Sequence, residues 1–118
     1  MSPMFLGGFT ASAMELAAQW RQVGLQVHET YPAGLVRHMN LNPLYRKTEK
    51  AAQLGPLLIQ AIKKSTLWMD LHFSFSIRFP RIRSWHEVDA FLCLLSGIRY
   101  QRNKALCYGD PAEGLIWI

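Results

Sequence analysis

Long apolar runs are missing from this chain: no stretch reaches the roughly 18 residues that a membrane-spanning helix needs. The first ten residues, MSPMFLGGFT, have no basic cluster and no cleavage site behind a long apolar stretch. They do not read as a secretory leader. Together these absences lead to the expectation of a cytoplasmic protein. Cysteine is scarce. Cys93 and Cys107 stand apart rather than in a CxxC pair, and no histidine sits at finger spacing, which argues against a zinc site. A disulfide between the two stays open on sequence grounds, although a cytoplasmic chain would keep it reduced. Cys93 falls on an apolar helix face and is expected to be a small buried hydrophobe. Charged residues make up only 18% of the chain against 50% hydrophobic ones, a balance that excludes intrinsic disorder. Internal repeats and low-complexity linkers are absent as well.

What is present fits one domain of 118 residues, long enough to bury about two-thirds of its unfolded surface. Thirteen Lys and Arg against eight Asp and Glu give a net charge of +5. The isoelectric point of about 9.6 suits an anionic partner. Arg46, Lys47, Lys50, Lys63 and Lys64 lie in or beside one helical region, and Arg78, Arg81 and Arg83 come just before another. On pattern alone the lysines form a solvated face.

Periodicity divides the chain into alternating helices and strands. Residues 12–23 read as a helix, with Ser12 and Glu15 at capping-box spacing and Gly24 fitting the left-handed position beyond the last turn. Residues 25–30 read as a strand that points Leu25, Val27 and Glu29 one way and Gln26, His28 and Thr30 the other, stopped by Pro32. A short helix is expected over 33–39. A longer one spans 48–64, with Thr48 as its N-cap and a kink or break at Gly55-Pro56. The clearest strand covers 71–79, with period-two alternation of Leu71, Phe73, Phe75, Ile77 and Phe79. The clearest helix covers 84–100. It has a capping box at Ser84 and Glu87 and a buried stripe of Val88, Phe91, Leu92, Leu95 and Ile98. Asp110 to Gly114 form a turn, followed by a closing strand over 115–118. The fold class is α/β or α+β.

Three segments carry candidate chemistry: HETYP (28–32), WHEVDAF (85–91) and GDPAEGLIWI (109–118). In this order they resemble the predicted-nuclease family called domain of unknown function 429, which has an RNase H-like fold. Members of that family carry a strand ending in a Glu-Val-Tyr-Pro-like sequence, a last helix beginning Asp-Ala-Leu, and a Gly-Asp-Pro-Glu-Glu-Gly tail. The resemblance covers the chain from about Ala11 onward. A more distant similarity is to Holliday-junction resolvases, which place a Glu on a strand and a His-x-x-Asp on the final helix; Glu29, His86 and Asp89 match that arrangement. His86 and Asp89, three residues apart, share a helix face.

The resemblance implies an α/β fold, a partial RNase H-like domain with a small mixed sheet flanked by helices and lacking the first strands. It implies a metal-dependent nuclease or the remnant of one. Glu29 and Asp89 would hold Mg²⁺ or Mn²⁺, and His86 would orient water or contact phosphate. Lys47 and Lys50 would hold a nucleic-acid backbone. The family's first-strand Asp has no counterpart here, where the first acid is Glu15. Each residue also has an ordinary role open to it. Glu29 is a solvated strand-end acid, Asp89 an acid favoured by the helix dipole, and His86 a surface histidine. The alternative to a nuclease is therefore a catalytically inactive nucleic-acid or protein interaction module. A strand that has lost its neighbours exposes a sheet edge, so a homodimer is expected.

Overall fold

The computed structural model describes residues 7–72 and 81–118, with side chains from residue 14 onward. Helix α1 runs over Gly7–Gln22, and strand β1 over Glu29–Thr30. Helix α2 spans Pro32–His38, and a 3-10 turn follows at Asn42–Leu44. Helix α3 spans Ala51–Lys63, α4 Thr66–Met69 and α5 Trp85–Gln101. Strands β2 (Cys107–Asp110) and β3 (Gly114–Trp117) complete a three-stranded mixed sheet in the order β1-β3-β2. The chain is thus an α/β protein with a small sheet among helices. No described helix is long and apolar enough to cross a membrane.

Local chemistry explains most boundaries. Pro32 does more than stop the strand: it opens α2, where its missing N–H costs nothing and its fixed φ is already helical. The Ser84 hydroxyl caps α5 by accepting from the Glu87 amide at 3.3 Å. The Glu87 carboxylate accepts from the Arg83 amide at 2.9 Å, one residue before the cap, so the expected box closes one position early. Gly24 takes up φ 87° after α1, as expected of its place. The hairpin between β2 and β3 has Gly109 and Gly114 at φ 111° and 125°. A Cβ on Gly109 would stand 2.5 Å from the Gly114 carbonyl oxygen.

Several expectations shift. α1 begins at Gly7, so Ser12 lies inside the helix rather than at its cap. The first strand shrinks from 25–30 to two residues: among the described residues Glu29 and Thr30 alone find partners, Ile116 and Trp117 on the parallel strand β3. Lys50, not Thr48, occupies the N-cap of α3, with no side-chain cap bond. Gly55-Pro56 does not divide α3. The carbonyl that Pro56 leaves without an amide belongs to Ala52, and both residues are exposed, so water can serve it. The strand expected over 71–79 lies outside the described residues from position 73. Leu71 sits in a turn after α4, and His72 has φ 49°.

The core joins α2, α3 and α5. Leu35, Val36, Leu58, Ile62, Val88 and Leu92 are each 0% exposed. Phe91 and Leu95 complete the expected stripe of α5, with Ile98 partly buried beside it. Tyr100 ties α5 to the sheet, its ring 4.4 Å from His28 and 4.9 Å from Trp117.

Candidate functional site

The segment between the 3-10 turn and α3 supplies the side chains that meet Asp89. Arg46 adopts φ 48°, a left-handed backbone that a residue with a Cβ enters at a cost of about 1–2 kcal/mol. The turn places two neighbours on Asp89 of α5. The Tyr45 hydroxyl donates to Oδ1 at 2.5 Å, and Arg46 Nη2 donates to Oδ2 at 2.5 Å. Arg46 Nε also reaches the Tyr45 hydroxyl at 3.2 Å. The Tyr45 ring stands edge-on to Trp85, with centroids 5.5 Å apart, which fixes the segment against the start of α5.

Both carboxylate oxygens of Asp89 are therefore engaged. Burial, and then the hydrogen bond to Asp89, push the Tyr45 phenol from 10.0 up to about 12. The same carboxylate raises the Arg46 guanidinium above its ordinary value. Lys47 and Lys50 follow on the same segment and are exposed. His86 is exposed in the first turn of α5. A basic face thus borders the N-terminal half of α5, around an acid already neutralised within the chain.

Glu29 lies elsewhere. It is exposed on β1, at the rim of a groove of about 530 Å³ between that strand and α5. Thr30, Cys93, Ser96, Tyr100 and Trp117 also line this groove. Cys93 is not the buried hydrophobe expected. It and Cys107 are exposed free thiols, because position 93 faces the groove rather than the core. Burial of part of its surface, and then the charge of Asp89 one turn earlier, raise its pKa.

The two expected metal ligands stand on different elements, Glu29 on β1 at the groove and Asp89 on α5 in its ion pair. Among the described residues no group of three or more His, Cys, Asp or Glu side chains is placed to hold a metal ion. Comparison with protein-family models, curated proteins and solved structures finds no match.

Sequence reasoning missed Tyr45 as a partner for Asp89, since a contact across 44 positions leaves no local pattern. It also missed Arg99, which was legible. The stripe Leu92, Leu95 extends at helical spacing to position 99 and puts that cation on the buried side.

Proposed function

We propose that this chain is an RNase H-like relative that acts as a catalytically inactive nucleic-acid interaction module. The observation that carries the reading is the occupation of Asp89. Its two oxygens each accept one bond, from Tyr45 and Arg46, so a divalent cation would have to compete with the Arg46 charge for the lone pairs that remain. The same contact holds Arg46, Lys47 and Lys50 on one exposed segment, an arrangement suited to phosphates of a nucleic-acid backbone. Binding without metal, weakening as salt rises, is the expected behaviour. The double variant Lys47→Ala/Lys50→Ala should weaken binding across sequences and reduce the salt slope by roughly 2. Fluorescence anisotropy with a labelled oligonucleotide in EDTA reads both effects. Affinity indifferent to salt, or a double variant that binds like the wild type, would refute the reading.

A second reading, a metal-dependent nuclease, draws on the exposed Glu29 carboxylate and on Cys93, which shares its groove and feels the charge of Asp89. Cys93 lies one turn from Asp89. Mg²⁺ or Mn²⁺ would then bind through Glu29 and Asp89, with His86 assisting and a further acid supplied by another chain. Metal-dependent cleavage that disappears in Asp89→Asn would favour this reading over the first.

A further inference from the structure

Arg99 lies on the inward side of α5, one turn after Leu95, and is 4% exposed. Burying a guanidinium is costly unless its charge and its N–H groups find partners. Here the demand is met only in part. Nη2 donates to the Lys104 carbonyl at 2.9 Å. Nε and Nη1 are sealed from solvent and have no hydrogen-bond partner among the described residues. Burial pulls the Arg99 pKa below its ordinary value, the mark of a charge short of compensation.

Arg99 forms one wall of a pocket of about 230 Å³ where the end of α2, the α4 turn and the end of α5 meet. His38, Thr66, Leu67, Asp70 and Lys104 form the rest. The volume falls below the roughly 300–1,000 Å³ of pockets that hold drug-sized molecules, so it suits a small ion. The lining offers three basic side chains and a hydroxyl against one carboxylate, Asp70. Among the described residues no carboxylate lies within ion-pair distance of Arg99.

We propose that this pocket binds a small oxyanion, a phosphate or a carboxylate, with Arg99 as its anchor and Lys104, His38 and Thr66 around it. A guanidinium presents several N–H donors in a fixed plane, which matches the paired oxygens of such anions. Nε and Nη1 have no open surface in this structure, so anchoring an anion through them requires the guanidinium to turn toward the pocket. The anion supplies the charge that the fold leaves unmatched, while Asp70 opposes it. This site is separate from the basic segment at 46–50 and does not depend on the function proposed for it.

Thermal unfolding of the full chain in inorganic phosphate or acetate, against sodium chloride at equal ionic strength, tests the proposal. The midpoint should rise with phosphate or acetate concentration and not with chloride; the anion that acts identifies the tetrahedral or the planar ligand. Arg99→Met should abolish the response. If that variant does not fold, Lys104→Ala provides the same test and should weaken apparent binding about threefold, as for an exposed charge pair. Asp70→Asn should strengthen binding by a similar factor, read as a larger rise of the midpoint with added anion. A midpoint no higher than in chloride, or an undiminished response in Arg99→Met or Lys104→Ala, would overturn the proposal. So would an Asp70→Asn midpoint that falls without any gain in anion response, since Asp70 would then be the partner of Arg99.

Discussion

At the scale of single residues, Tyr45 and Arg46 each donate to one oxygen of the Asp89 carboxylate. Tyr45 donates into Asp89 from a partly buried position, and its phenol is held protonated up to about pH 12 instead of 10.0. The folded chain therefore binds this proton more tightly than the unfolded one. The associated stability is complete below about pH 10 and is lost as pH rises through about 12. Tyr45→Phe removes the ionisable group, so the stability gap between wild type and variant should narrow across that window. Urea unfolding at steps from pH 9 to 12 measures it. A gap that stays constant would show that the proton is held no more tightly in the folded state.

At the scale of elements, helix α3 is held by a close approach rather than by its propensities. Gly55 is buried, and a Cβ there would come within 2.8 Å of Ile82 Cγ2 and 3.2 Å of Val88 Cγ2. Alanine would ordinarily strengthen a helix interior by up to about 1 kcal/mol. Here the two branched side chains ahead of and within α5 have to give way, and the overpacking should prevail. Gly55→Ala is expected to destabilise the chain by roughly 1–2 kcal/mol in denaturant unfolding. A gain in stability would mean that α3 and α5 part more easily than their contact suggests. The same elements mark what the sequence reveals and what it conceals. The stripe of α5, its Ser84 cap and the left-handed Gly24 were legible because each depends on residues within a turn or two. The strand over 25–30 was overextended because alternation signals extended backbone, whereas pairing depends on β3. Strand β2 went unread because Cys107, Tyr108, Gly109 and Asp110 are all exposed and show no alternation of burial. Glu29 and Asp89 could be named as acids of interest from their motifs. The pairing of Asp89 with Arg46 and Tyr45 arises from long-range packing that no local pattern encodes.

At the scale of the whole molecule, the radius of gyration is 15.1 Å, against about 13.5 Å for a compact chain of this length. Met14, Trp20, Val23 and Leu25 are 45–74% exposed, and the Arg21 guanidinium reaches the Val27 carbonyl at 2.8 Å. Strand β1 is an edge of the described sheet, paired only with β3 there. We propose that the exposed apolar residues and this edge lead the chain to self-associate as a homodimer. Sedimentation velocity over a hundredfold concentration range should show a dimer that dissociates on dilution; a monomer throughout would refute it. The parallel pairing of Glu29 with Ile116 has a further consequence, in time rather than in space. The β2–β3 hairpin can close as soon as its few residues are made, whereas β1 must wait for a partner far along the chain, Glu29 pairing with Ile116. Closing so long a loop is slow. During synthesis this pairing cannot form until β3 has left the ribosome, so it is among the last contacts of the described sheet to be made.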